Sequence, residues 1–131
     1  MKDSEVVAAA RELISDPESW IQGDWCVGAP SQVKMCAEGA VRIATGWCRW
    51  SEPVGGWWYS NAGSKADQSD RVEATLARVA FEMFPSRIAD QWGEDADPLV
   101  LNSYNDAKIT QHKDVLAIFD ETHRRLIKVG E

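Results

Sequence analysis

The sequence predicts an all-α fold, a compact bundle of about four helices with a Trp-rich hairpin or ordered loop inserted between helices two and three. Two observations carry this prediction. Four segments repeat apolar residues at intervals of three and four, the period of one helical face. Between the second and third of them, Pro53-Val54-Gly55-Gly56 separates two aromatic runs and is typical of a turn. A chain of 131 residues predicts one domain over 1–131, with 47–60 as the insertion.

The first helix is predicted over residues 4–15, capped by Asp3 or Ser4 and ended by Asp16-Pro17. Two glycines and two prolines punctuate residues 17–31, which predicts a loop.

The second helix is predicted over residues 32–44, with Ser31 as N-cap and Gly46 as C-terminal cap. Residues 60–69 are polar and turn-rich, and predict a mobile connection. The third helix is predicted over residues 70–84.

Beyond the third helix the pattern is weaker. Pro85 either ends the third helix or opens a short following helix that runs through Ile88 to Trp92. We predict an acidic turn over 93–98, and either a strand or a helical turn over 99–104. The last helix is predicted over 111–129, with Thr110 as N-cap.

The apolar positions of the four helices predict the core. It should include Val7, Ala10, Leu13, Ile14, Cys36, Ala40, Val72, Leu76, Val79, Phe84, Val115, Leu116 and Phe119.

Composition and charge exclude several classes of protein. Hydrophobic residues make up 44% and charged residues 27%, which is ordinary for a globular chain. No apolar run approaches the roughly 20 residues of a transmembrane helix, so we expect no membrane partner. The apolar stretch near the N-terminus is too short and too interrupted for a signal peptide, and we expect a cytoplasmic protein. A formal net charge of −7 weighs against nucleic acid as a partner.

Three cysteines, Cys26, Cys36 and Cys48, form no Cys-x-x-Cys pair and are typical of a reduced cytosolic protein. Their spacings match no common zinc pattern with His112 or His123, so we predict no metal site. The chain also has no glycine-rich phosphate motif, and we predict no cofactor.

The aromatic segment is the most informative feature of the sequence. Its candidate partner-binding residues are Trp47, Arg49, Trp50, Trp57, Trp58 and Tyr59. They could fold over the helices as a secondary core, or form an exposed hot spot, and a mixture of both also fits. Because neighbouring residues of a strand point to opposite faces, we expect at least one of the two adjacent tryptophans to be exposed.

A second candidate site is polar and comprises Asp24, Asn105 and Asp106. Asp106 could serve as a general base or metal ligand, with His112 or Asp24 as its partner. The structural alternative is favoured, because short polar side chains in turns usually bond to backbone N–H groups.

Several motifs occur in a characteristic order. They are Trp20-Ile21-Gln22-Gly23, Cys36-Ala37-Glu38-Gly39-Ala40, Tyr104-Asn105-Asp106, and a Thr-started final helix with Asp114-Val115-Leu116-Ala117. Over residues 7–46 and 70–127 this order resembles a family of small uncharacterised proteins from actinobacteria and their phages. The resemblance implies an accessory protein that is cytosolic in its host, and it implies no particular activity.

These observations favour a non-enzymatic protein-interaction module with no catalytic residues. Its partner would be a host or phage protein, or a second copy of the chain, bound through the Trp-rich segment. The alternative is a small-molecule binder or an enzyme, with its site near the turns at Trp20–Asp24 and Asn105-Asp106.

Overall fold

The helices of this chain surround an apolar core, and two small sheets lie beside them. The computed structural model describes residues 1–85 and 100–131. The helices within these ranges are α1 (Asp3–Leu13), α2 (Ala37–Thr45), α3 (Gly63–Met83), α4 (Leu101–Asn105) and α5 (His112–Val129). The strands are β1 (Cys26–Val27), β2 (Lys34–Met35), β3 (Cys48–Ser51) and β4 (Gly56–Tyr59).

The prediction of an all-α fold is wrong, because the described residues contain two antiparallel two-stranded sheets and the fold is mixed α/β. One sheet joins β3 to β4 and is the predicted hairpin, with its turn at residues 52–55. The other joins β1 to β2, within and just after the predicted loop. Strands of two residues are too short to show an alternating pattern, so periodicity could not reveal them.

Two helices begin at different residues from those predicted. α2 begins at Ala37 rather than residue 32, because residues 30–35 form a 3₁₀ turn and then β2. Its N-cap is Cys36, whose sulfur accepts a hydrogen bond from the backbone N–H of Gly39, and not Ser31. α3 begins at Gly63, so most of the predicted mobile connection is its first turns.

The ends of the other helices differ by less. The N-cap of α5 is Gln111, whose backbone N–H donates to the carboxylate of Asp114, and Thr110 lies one residue earlier. α1 begins at Asp3, and the backbone N–H of Lys2 donates to the Glu5 carboxylate. The predicted cap of α2 at Gly46 is confirmed, since this glycine has a φ of 81°.

Residues 101–105 form the short helix α4. Of the two alternatives predicted for residues 99–104, the helical turn is therefore confirmed and the strand is wrong. The short helix predicted through Ile88 to Trp92 and the acidic turn over 93–98 lie outside the described residues. Among the described residues, no helix is long and apolar enough to cross a bilayer.

The predicted core is largely confirmed, and all but three of its residues are buried. The exceptions are Leu13, Phe84 and Leu116, which are partly buried and pack against the outside of the core. The core also contains large buried side chains from outside the predicted set, among them Met35 of β2 and Tyr104 of α4. Both come from short elements, in which too few residues are present for an apolar period to predict burial.

Gly39 allows a close approach between α2 and the chain at Trp25. A Cβ built on Gly39 would lie 2.1 Å from the carbonyl oxygen of Trp25. That same oxygen accepts a hydrogen bond from the backbone N–H of Cys36 at 3.2 Å, so it cannot move away freely. Only glycine fits at this position without shifting the backbone.

We expect Gly39→Ala to lower the free energy of unfolding by at least about 1–3 kcal/mol, the usual cost of overpacking. Gly63→Ala is the matched control, because a Cβ there meets nothing within 4 Å. Urea unfolding followed by circular dichroism measures both variants. Equal stability of the two variants would contradict the close approach.

Candidate functional site

The hairpin has two faces of different character. Arg49 pairs with Trp58 across the strands, so these two side chains share one face. Cys48 pairs with Tyr59, and Trp50 pairs with Trp57, on the opposite face. We call the first the outer face and the second the inner face.

The outer face is open. Trp58 is 46% exposed, and Arg49 is exposed beside it. Within residues 1–85 and 100–131, Arg49 takes part in none of the ion pairs. A large ring and an unpaired cation therefore face solvent together.

The inner face packs against the rest of the chain. The rings of Trp50 and Trp57 meet edge to face with centroids 5.5 Å apart. The indole N–H of Trp57 donates to the carbonyl of Gly28 at 2.8 Å, which fastens the hairpin to the segment after β1. The predicted six-residue set is thus divided: Arg49 and Trp58 face outward, and the other four aromatic residues pack inward.

The inner aromatic residues surround the cation of Arg42, which no sequence motif marked as a site residue. The guanidinium carbon of Arg42 lies 5.0 Å from the ring centroid of Trp25, 5.3 Å from that of Trp47 and 6.0 Å from that of Tyr59. Arg42 also donates a hydrogen bond to the Tyr59 hydroxyl at 2.9 Å. These contacts are within the range of cation–π attraction and connect α2 to both small sheets.

Two carboxylates share the same guanidinium. Arg42 donates to Glu38, one turn earlier on α2, at 3.0 Å, and to Glu73 of α3 at 3.2 Å. The second oxygen of Glu38 accepts from the backbone N–H of Asn102 at 2.9 Å. The second oxygen of Glu73 is buried and accepts no hydrogen bond from the described residues, but the carboxyl of Glu38 is close enough to share a proton with Glu73. The one sequence signal for this cluster was the spacing of four between Glu38 and Arg42.

Burial dominates the ionisation of this cluster. Burial raises the pKa of Glu73 to about 8, against the opposing effect of Arg42 and with a contribution from Glu38. Burial also raises the pKa of Tyr59, while the bond from Arg42 lowers it. For Arg42 burial disfavours the charge, but Glu73 and Tyr59 outweigh it and raise its pKa. Arg42 therefore stays charged, and Glu73 takes up a proton near neutral pH.

The polar residues predicted as a second site meet in the structure around Asn105. The Oδ1 atom of Asn105 accepts from the indole N–H of Trp20 at 2.7 Å and from the backbone N–H of Ala37 at 3.0 Å. Its Nδ2 atom donates to the carbonyl of Ile21 at 3.1 Å and to Asp106 at 2.8 Å. Every hydrogen-bonding position of the buried amide is therefore used within the chain.

Neighbouring side chains complete this connection. Gln22 donates to the carbonyls of Asn105 and Ala107, each at 2.9 Å, and Asp106 accepts from the backbone N–H of Gly23 at 3.0 Å. Asp24 accepts from its neighbour's backbone N–H and has no hydrogen bond to Asn105 or Asp106 among those described. The two turns are thus adjacent, but their polar groups mainly bind each other.

The histidine and cysteines predicted as alternatives lie apart from this chemistry. The Nε2 atom of His112 lies 2.5 Å from the carbonyl oxygen of Ile14, and its ring packs near Trp20 rather than bonding Asp106. Burial raises the pKa of Cys26 to about 12 and that of Cys36 to about 11, which leaves both as thiols. In the part of the chain that is described, no group of His, Cys, Asp and Glu is arranged to hold a metal ion.

Comparison with known proteins places the chain in a family. The family model described as "Family of unknown function (DUF6197)" matches residues 1–125, and the chain belongs to that family. Neither the curated proteins nor the solved structures contain a match to the chain.

Replacing Asn105 tests how much the hydrogen bonds of its side-chain amide contribute to stability. We expect Asn105→Ala to destabilise the chain by about 1–3 kcal/mol for each buried donor or acceptor that stays unpaired. Exposed Asn61→Ala is the control and should change the free energy of unfolding by less than about 0.5 kcal/mol. Thermal and urea unfolding measure both, and equal effects would show that the amide bonds contribute nothing.

The ionisation of Glu73 predicts a pH dependence of stability. Because its pKa is 4.5 ordinarily and about 8 in the folded chain, the folded state binds the proton more tightly. This contribution to stability is complete below pH 4.5 and is lost as pH rises through about 8. The free energy of unfolding of Glu73→Gln should fall less steeply over this window. Asp67→Asn, exposed on the same helix, should keep the wild-type slope, and parallel curves for wild type and Glu73→Gln would disprove the shift.

Proposed function

We propose that this chain is a non-enzymatic protein-interaction module that binds its partner through the outer face of the hairpin. The observation that carries the proposal is the pairing of a half-exposed Trp58 with an exposed Arg49 that has no ion pair among the described residues. Trp and Arg are the residue types most enriched at binding hot spots. The inner face anchors this surface rigidly, which limits the entropy lost on binding.

The charge of this surface favours one kind of partner. The chain carries a net charge of −7, yet the outer face presents a cation. A partner with an acidic side chain beside an apolar one would satisfy both Arg49 and the indole of Trp58. A second copy fits less well, because two chains of −7 repel and a twofold axis brings equal charges together.

The ordered motifs at Trp20–Gly23, Cys36–Ala40 and Tyr104–Asp106 support an origin in an actinobacterium or one of its phages. We place the protein in the cytoplasm of that host, where three free cysteines would remain reduced. The partner is then a host or phage protein.

The alternative of an enzyme or small-molecule site at the two turns has less support. Asn105 has no free hydrogen-bonding position, and Gln22 and Asp106 bind the backbone. These bonds would have to break before a ligand could be recognised.

The outer face can be tested with an immobilised chain and an actinobacterial lysate. The captured partner is identified by mass spectrometry and purified, and its affinity for each variant is measured by calorimetry. We expect Trp58→Ser and Arg49→Glu each to weaken binding at least tenfold without lowering the unfolding temperature, and binding to weaken with added salt.

Val129→Ser is the matched control, since it removes an apolar side chain that is 67% exposed on α5. It should leave the affinity unchanged. Light scattering of the chain alone measures self-association, and a dimer lost in Trp58→Ser would replace the partner protein with a second copy. Equal affinities of all variants would reject the outer face as the binding surface.

A further inference from the structure

We propose that the partner protein adds an extended strand to the free edge of β4, and that this strand carries an apolar residue flanked on the same face by acidic ones. The inference rests on the proposed function, because it uses the outer face of the hairpin and names the conformation and chemistry of what binds there. Recognition would combine main-chain hydrogen bonds along the edge with side-chain contacts to Trp58 and Arg49.

The hydrogen bonding of the hairpin shows which main-chain groups face away from it. The backbone N–H of Ser60 donates to the carbonyl of Trp47 at 2.8 Å, so these two residues form a hydrogen-bonded pair. In an antiparallel sheet such pairs alternate with non-hydrogen-bonded pairs. By the register of the strands, Trp57 and Tyr59 belong to pairs of the second kind. Their N–H and C=O groups therefore point away from β3, along the outer edge of β4.

This edge is free in the part of the chain that the structure describes. The main-chain groups of Trp57 and Tyr59 form no hydrogen bond with another described element. Because buried main-chain groups in folded chains are almost always paired, these groups face solvent. None of the four residues of β4 is buried, whereas Cys48 of β3 is buried and β3 also packs against α2. The edge of β4 is thus the one that another strand can reach.

The sequence of β4 lacks the features that keep an edge strand unpaired. Natural edge strands carry charged residues, above all lysine, or proline, which discourage pairing with another chain. β4 has the sequence Gly-Trp-Trp-Tyr and contains neither. Its aromatic residues also favour the strand conformation. This composition is an observation independent of the hydrogen bonding, and it too indicates an edge that accepts a strand.

The outer face determines which side chains the added strand should carry. The residue opposite Trp58 would lie beside its half-exposed indole, which favours an apolar side chain. Arg49 lies one strand further in, about 10 Å from the new strand at the usual spacing of strands. Extended Arg and Glu side chains together cover that distance, and Gly56 has no side chain to obstruct them. The residues two positions from the apolar one should therefore be acidic.

A second copy of the chain fits this edge less well. Pairing two β4 strands about a twofold axis would place each Gly-Trp-Trp-Tyr segment opposite the other, and neither supplies an acidic residue to face Arg49. Two chains of net charge −7 also repel each other. A segment of a different protein has neither disadvantage.

The test uses the full chain and the peptide acetyl-Thr-Glu-Thr-Leu-Thr-Glu-Thr-amide, whose leucine and glutamates share one face of a strand. Amide hydrogen exchange followed by ¹H–¹⁵N spectra gives a rate for each residue. In the free chain we expect fast exchange at Trp57 and Tyr59, and slower exchange at Trp58, whose N–H lies within the hairpin. Saturating peptide should slow exchange at Trp57 and Tyr59 at least fivefold.

Matched peptides separate the main chain from the side chains. N-methylation of the two threonines that flank leucine removes the N–H donors facing the edge and keeps every side chain, so it should abolish the protection. Replacing both glutamates by lysines should weaken binding to the wild type severalfold, and Arg49→Glu should reverse this preference. Val129→Ser should bind each peptide as the wild type does.

Failure of this inference is distinguishable from failure of the proposed function. Shifts at Arg49 and the Trp58 indole without protection of the Trp57 and Tyr59 amides would overturn edge pairing and keep the outer face as the binding surface. Protection that is unchanged in Trp58→Ser and Arg49→Glu would reject the outer face and keep edge pairing. Equal protection by the N-methylated peptide, no protection by any peptide, or protection of the free chain that grows with its own concentration would each overturn the inference, the last in favour of a second copy.

Discussion

The side-chain amide of Asn105 is the point on which the arrangement of the chain depends. It is buried and forms four hydrogen bonds, which join α4 to the Trp20–Ile21 segment and to the first turn of α2. The Asn105 side chain accepts two hydrogen bonds and donates two. Only a primary amide can do both here, because a carboxylate cannot donate and a hydroxyl has a single proton. The segment held in this way leads directly to Trp25. Its carbonyl contacts the place where Gly39 lacks a side chain, and its ring reaches Arg42.

Arg42 continues the same chain of contacts to the hairpin. Its guanidinium lies against the rings of Trp25, Trp47 and Tyr59, and it donates a hydrogen bond to the carboxyl group of Glu73. Burying this charge is favourable only because rings and carboxylates replace the lost water. The side chains of the inner face are therefore used in contacts within the chain. The outer face has no such role, which is why its exposed indole is available for a partner.

Periodicity predicted what extends over several turns or a full hairpin. The apolar faces of the long helices, most of the core and the turn between the aromatic runs follow from sequence patterns, and so does the cap at Gly46. The starts of α2 and α3 do not, because tertiary contacts and not local signals decide where each helix begins. Two-residue strands carry no period, so the all-α prediction omitted β1 and β2.

The candidate sites show the same limit. Alternation predicted that Trp57 and Trp58 point to opposite faces, but not which face meets the helices, since that depends on the Gly28 carbonyl 29 residues away. Arg42 and Glu73 lie 31 residues apart, and neither has a neighbour that marks it as functional. Their importance arises from burial. Arg42 donates to the buried carboxyl of Glu73, and the same guanidinium lies against the rings of Trp25, Trp47 and Tyr59. The ionisation of Glu73 and the position of the hairpin thus depend on the same guanidinium.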